Sequence, residues 1–340
     1  MVNNERPGVY TSYEVTDAIT GGSGTIVGAV GRAAAGETNK VYIISSLGEA
    51  TAAFGAGSAL EMLSERLLTN GAGAVHAVAV GAEDASAYGE AFAALCADEQ
   101  VGIMVCDSRD AEVHAAMKEA IAGASESCKY RIAIVEGEGS AGELAEHAAA
   151  LNSERMVLCA ACGGAEGSLA AAVAGVLAGE NDPALPLNGA VLRGVESTER
   201  NFTDGEINTL VRGGVTVTET VGGEISVVRG VTTRTKTGGE ADDTWREITT
   251  VRIIDTVLPA VRRALRSRFA RSKNTPRTRG AIRTQVVVEL EDFLAREIIG
   301  GYGDVIAEPD SADPTVCAVH FSFTVAHGLN QIRLQAHITV

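Results

Sequence analysis

Aromatic side chains are scarce in this chain: 4% of 340 residues, with a single tryptophan, Trp245. A core built on large rings is therefore excluded, so Ala, Val, Ile and Leu must fill it, and few stacking platforms remain for single-stranded nucleic acid. Cations are in deficit too. Lys and Arg number 28 against 44 Asp and Glu, a net charge of −16, which argues against a protein that coats nucleic acid or an anionic membrane. No apolar run approaches the roughly 20 residues that cross a bilayer; the Ala-rich stretch Leu169 to Ala178 reads as a buried helix. The opening MVNNERPGVY has no apolar stretch behind a basic head and is not expected to act as a secretory signal. Six cysteines (Cys96, Cys106, Cys128, Cys159, Cys162, Cys317) lie mostly in apolar surroundings such as VGIMVCD, as expected for small reduced thiols of a cytoplasmic product. What is abundant is small and apolar. With 46% hydrophobic residues, 39 glycines and 21% charge, the chain is globular and long enough for one large domain or two ordinary ones.

Motifs of catalysis are missing as well. The glycines of GGSGTIVGAVG at 21–31 do not follow G-x-G-x-x-G and they precede a strand, whereas a dinucleotide site needs them after a strand and opening a helix. Neither G-x-x-x-x-G-K-[ST] nor G-x-S-x-G occurs. Cys159-Ala-Ala-Cys162 has redox spacing, but no second C-x-x-C completes a zinc site and no cation beyond Arg155 is near enough to lower a thiol pKa. The six histidines show no H-x-x-x-H spacing, and His327 in TVAHGLN reads as a strand-end residue. No catalytic residue, cofactor or metal is expected. The rival reading, an α/β enzyme, requires a pocket at the carboxyl ends of the strands, near Cys159 or His327.

From Gly24 to about Gly179, short β-branched runs alternate with Ala-rich segments of helical length, the pattern of βα units. Strands are predicted at Thr25–Val30, Val41–Ser45, Ala74–Val80, Val101–Cys106, Tyr130–Val135 and Arg155–Cys159; helices at Ser58–Leu68, Ser86–Ala97, Ala111–Ala122, Ala141–Leu151 and Ser168–Ala178. Runs such as IAIV and GIMVC are apolar throughout, so the sheet is expected to be mainly parallel and covered on both faces. The texture changes after GENDPALPLNG. Beyond it come a helix capped by Thr203 with Glu206 at its third position, a hairpin of Val215–Thr220 and Glu224–Arg229 turned by Gly222-Gly223, two long helices at about Ile248–Ala270 and Thr278–Ile299, and closing strands. The fold class is thus α/β plus α+β, divided as an N-terminal strand segment at 1–20, an α/β domain at 21–182, an α+β domain at 183–327 and a C-terminal strand segment at 328–340; the resemblance given below would make the end segments arms and the α/β domain the outer one.

Charge divides along the same line. Residues 1–190 hold 9 basic and 25 acidic side chains, while 191–340 hold 19 of each. Within 256–288 stand Arg262, Arg263, Arg266, Arg268, Arg271, Lys273, Arg277, Arg279 and Arg283 with no acid among them. At 100° per residue, Ile254, Val257, Leu258, Val261, Leu265 and Phe269 form an apolar stripe, with Arg252, Arg262, Arg263 and Arg266 clustered away from it. Pro259 predicts a kink, or a helix start near Asp255. This belt suits an anionic protein surface; a nucleic-acid-associated structural protein is the alternative, which the acidic body disfavours. Both termini alternate as strands: Val9, Tyr13 and Val15 at one end, and Ile332, Leu334, Ala336, Ile338 and Val340 at the other. A strand that runs to the last residue needs a sheet to receive it, in its own chain or in a neighbour.

With these segments in view, the chain resembles the contractile-tail sheath proteins of phages and of related contractile bacteriocins and injection systems. The resemblance rests on RPGVY at 6–10, LNGAVLRGVE at 187–196 and GGVTVTETVGGEISVVRGVTTRT at 213–235. It continues through DTWREITTVRIIDTVLPAVRRALRSRF at 243–269, KNTPRTRGAIRTQV at 273–286 and FTVAHGLNQIRLQAHITV at 323–340. It implies a structural subunit, not an enzyme, that polymerises in six-fold helical rings around an inner tail tube and contracts to drive that tube through a cell envelope. The arms would be exchanged as strands between neighbouring subunits, completing the inner domain, with Gly21, Gly22, Gly24 and Gly328 as hinges. The inner domain would face the tube through Arg262, Arg263, Arg266, Arg268, Arg271 and Lys273. Other implied partners are copies of itself, the tube protein, and baseplate and tail terminator proteins, without nucleic acid or membrane. The implied place is a virion tail or headless particle, assembled in the bacterial cytoplasm.

Overall fold

A computed structural model describes residues 24–161, 164–195, 201–330 and 335. The chain runs β1 (Ile26–Gly31), β2 (Val41–Ile44), α1 (Leu47–Phe54), α2 (Ala59–Thr69), β3 (Val75–Ala79), α3 (Ala85–Ala97), β4 (Val101–Cys106), α4 (Ala111–Glu126), β5 (Ile132–Gly137), α5 (Ala141–Leu151), β6 (Met156–Ala160) and α6 (Ser168–Gly179). It continues through β7 (Val191–Leu192), α7 (Asp204–Arg212), β8 (Val215–Val221), β9 (Glu224–Arg229), β10 (Lys236–Thr237), β11 (Glu240–Ala241), α8 (Ile248–Phe269) and α9 (Pro276–Ala295), and ends in β12 (Ile299–Tyr302), β13 (Ile306–Pro309), β14 (Cys317–His320) and β15 (Phe323–Val325).

One nine-stranded sheet, ordered β2-β3-β1-β4-β5-β6-β8-β9-β7, organises most of these elements. Strands β3, β1, β4, β5, β6 and β8 are parallel, and the two edges are closed by antiparallel β2 and by β9 with β7. Every residue of β3, β5 and β6 is buried, as expected of a sheet covered on both faces. Alternation divides the side chains between two cores. Ile132, Ile134, Val157 and Cys159 pack with α1, α2 and α6, while Ala133, Val135, Met156 and Leu158 pack with α3, α4, α5 and α7.

The sheet does not stop at 182. Strands β7, β8 and β9 lie in it, so the hairpin read as the start of a second block is an edge of the first. Its turn is as predicted: Gly222 and Gly223 both have positive φ, 62° and 90°, which a two-residue turn of this type requires. The Thr203–Glu206 capping box at the start of α7 is also formed. The break in packing falls inside α8. Its first turn, Ile248 and Val251, belongs to the body core, whereas Ile253, Val257 and Val261 join α9 residues Val286, Leu290 and Phe293 in a separate small core. That lobe is completed by two two-stranded sheets, β12 with β15 and β13 with β14. The apolar seam of α8 thus uses Ile253 where Ile254 was expected, and the helix passes Pro259 without a break or a new start at Asp255.

Candidate functional site

The cationic helix α8 crosses the amino ends of the parallel strands, and its position is set by ion pairs. Arg155, just before β6, donates to both carboxylate oxygens of Asp255 at 2.7 and 2.9 Å. Burial pushes the Asp255 carboxyl up from its ordinary value against the pull of Arg155, as expected of a pair largely removed from water. The Tyr130 ring lies 5.0 Å from the Arg155 guanidinium and 5.7 Å from that of Arg262. Arg252 is not part of a solvated cationic face. It reaches the carbonyls of Leu177, Glu180 and Asp182 at 3.3, 2.8 and 3.3 Å, closing the carboxyl end of α6, and burial lowers its pKa to about 10.

The remaining cations divide by direction. Arg262 and Arg266 line a cleft between α8 and the body. Arg268 turns to α9 and donates to Gln285. Arg263, Arg271 and Lys273 are exposed. Among the described residues none of these six pairs with a carboxylate. The belt is therefore real as an excess of charge, but it is not one face.

The arm residues Val9, Tyr13 and Val15, the hinges Gly21 and Gly22, and Ile332, Leu334, Ala336, Ile338 and Val340 lie outside the described residues. The glycines that are described are packing positions. A Cβ on Gly24 would stand 2.6 Å from the Gly71 carbonyl oxygen and 2.8 Å from that of Ala178, and one on Gly328 would stand 2.9 Å from Pro186. Close approach of chain to chain requires glycine at both positions. The chain is held as far as Asn330, whose amide oxygen accepts from Asn188 at 2.6 Å.

The carboxyl ends of the strands, where an α/β enzyme would bind its ligand, hold charges paired within the protein with acid in excess: Arg32 binds Glu83, Asp107 and Glu166, and Arg109 binds Glu136 and Glu138. Glu136, at the end of β5, accepts from the Leu169 and Ala170 amides at 2.9 and 3.4 Å. A carboxylate of the protein thus occupies the α6 N-terminus, the position a phosphate takes in nucleotide-binding folds. Arg109 binds Glu136 at 2.8 Å. Beside it, Arg32 and Tyr88 hold Asp107 at 2.9 and 2.5 Å. Cys159 is buried within β6 with its thiol pushed up by burial, and His327 is exposed; Cys162 lies outside the described residues. Among the described residues no cluster of three metal-ligating side chains occurs, and no helix is long and apolar enough to cross a membrane.

With this geometry in place, family comparison is decisive. Residues 79–233 match the phage tail sheath protein central domain, and residues 240–339 match the phage tail sheath C-terminal domain. This chain belongs to the phage tail sheath family. The sheath fold extends over nearly all of it. The contracted helical sheath of the anti-feeding prophage superposes with a TM-score of 0.74 at 14% identity, over 98% of this chain and 99% of that one. The sheath tail protein of Desulfitobacterium hafniense gives 0.72 at 12% identity, over 94% and 100%. That of Listeria innocua gives 0.67 at 10%, over 89% and 95%. No curated protein sequence matches the chain. As a family member the protein is a structural subunit of a contractile sheath, with its place in a phage tail or a related contractile particle.

Proposed function

We propose that this sheath subunit polymerises helically around an inner tube, joined to its neighbours by exchanged arm strands. Contraction by rigid-body rotation of the folded subunits then drives the tube through a target envelope. The observation that carries the reading is the state of the C-terminal lobe. Its two sheets have only two strands each among the described residues, and a two-stranded sheet is marginal alone. Such open edges invite further strands. After β15 the chain runs on to Asn330, which bonds Asn188, and the alternating segment 331–340 follows it in sequence. Copies of itself and a baseplate are the partners; a tube protein and a terminator complete the set, and assembly takes place in the bacterial cytoplasm. The subunit performs no chemistry of its own, which accords with the internally paired charges at the carboxyl ends of its sheet.

Deleting residues 331–340 should abolish helical polymers seen by negative-stain electron microscopy while leaving a monomer with the far-UV circular dichroism of the full chain. Sheaths of normal length formed by the truncated protein would sink the arm-exchange reading.

A further inference from the structure

We propose that the cleft beneath α8 is an oxyanion-binding site formed by Arg262 and Arg266 over the buried charge of Arg131, and suited to a dianion of the phosphate class. The cleft encloses about 420 Å³ between α8 and the amino ends of β4 and β5, and it is lined by Lys129, Tyr130, Arg131, Asp255, Arg262 and Arg266 among others. Its acids are already engaged. Asp255 is held by both nitrogens of the Arg155 fork, and Glu99 lies 3.7 Å from Lys129.

Arg131 has no such partner. Its side chain is 1% exposed. Its terminal nitrogens donate to the carbonyls of Lys129 and Asp98, and its Nε has no acceptor. Among the described residues no carboxylate lies within ion-pair distance of it; that of Asp98 is bound by His76 at 2.5 Å and by the Gln100 amide at 2.9 Å. A guanidinium taken out of water with no counter-ion is costly, and an anion beside it relieves that cost. Arg32, Arg109 and Arg155 each bind a carboxylate, whereas Arg252, like Arg131, is met by backbone carbonyls alone.

Arg262 and Arg266, one turn apart on α8, supply two more cations to the same cavity. Arg262 is fixed there by its 3.3 Å hydrogen bond to the Tyr130 hydroxyl. Three cations without carboxylate partners match a dianion with several acceptor oxygens better than a single carboxylate, and guanidinium forks fit phosphate oxygens geometrically. The volume also admits the waters that would complete the contacts. The inference does not depend on polymerisation or on the arms.

The test is isothermal titration of the full-length protein with inorganic phosphate in chloride buffer, paired with thermal unfolding. Saturable binding is expected, with a rise in Tm. The double variant Arg262→Gln/Arg266→Gln should weaken binding about tenfold or more, and Arg263→Gln, on the same helix but outside the cleft, should leave it unchanged. Arg131→Gln tests the contribution of the buried charge and should also weaken binding; the exposed pair carries the test if that variant does not fold. Absence of saturable binding at millimolar phosphate would overturn the proposal. So would equal weakening by Arg263→Gln, which would reveal general attraction to a basic surface, or undiminished binding in the double variant.

Discussion

His114 is buried between α4 and α5 and has settled into one protonation state. Its Nε2 lies 2.8 Å from the Ser108 carbonyl, so that nitrogen carries the proton, and its Nδ1 accepts from His147 Nε2 at 3.2 Å. The rings stack with centroids 5.1 Å apart. Adding a proton to His114 would oppose the donated His147 bond and place a charge in a buried site. Burial is the main cause that lowers its pKa to about 4; the neighbouring His147 lowers it further, while the Ser108 carbonyl and Asp110 oppose the shift. His147 is shifted down as well, by burial. The sign follows. Below an unfolded pKa near 6.5 the unfolded chain takes up a proton that the folded chain refuses, so stability present at pH 7 is lost as the pH falls from about 6.5 towards about 4. The total for His114 is on the order of 3 kcal/mol. Urea midpoints at pH 7 and pH 5 should fall more for the native protein than for His114→Gln, whose amide still reaches Ser108. An equal fall in both would remove this histidine from the acid response.

Helices α2 and α6 meet backbone to backbone, and a glycine decides how closely. A Cβ on Gly175 would stand 2.6 Å from Asn70 Cβ and 2.7 Å from the Leu67 carbonyl oxygen, whereas Gly123 in α4 has nothing within 4 Å of its position. Helix propensity alone favours alanine at both sites by about 1 kcal/mol. Packing reverses the sign at one of them. Gly123→Ala should raise the urea midpoint, and Gly175→Ala should lower it by about 1–3 kcal/mol of stability, because α2 must move away. A gain at both positions would show that the helices yield without strain. The same contrast explains what could be read from sequence. Strand β4 and helix α5 have the predicted bounds, since a continuous apolar run and a Ser140–Glu143 capping box are local signals. Helix α1 was not predicted although Ser46 and Glu49 form its cap, because two turns beside a strand give too short a periodic pattern. The closure of α6 by Arg252 and the turn of Arg262 towards Tyr130 join residues 75 and 132 positions apart. Such contacts leave no periodic mark, so the belt read as one face divides into three directions. The hairpin of β8 and β9 was located by its glycine turn, but its place beside β6 depends on pairing across the chain.

Charge separation is a property of the whole molecule. The first 190 residues carry most of the acid, while the exposed cations Arg263, Arg271 and Lys273 stand at the end of α8 and in the segment following it. In a polymer this polarity repeats with every subunit, so weak contacts act in large numbers. An exposed ion pair contributes about 0–1 kcal/mol and is screened by salt. A contact of that kind can hold a subunit on an acidic tube and still release when the sheath contracts. Of the six cations implied at the tube, Arg263, Arg271 and Lys273 are exposed and neither line the cleft nor bind α9, so they isolate this role from the oxyanion site. Changing all three to Glu should leave sheath-to-sheath polymers intact, if these are joined by the proposed arm exchange, while decoration of the tube is lost. The native contact should weaken as ionic strength rises, over the range in which the Debye length falls below about 8 Å. Normal decoration by the triple variant, observed by electron microscopy of mixed sheath and tube, would remove the belt from the tube interface and leave its cations to the cleft.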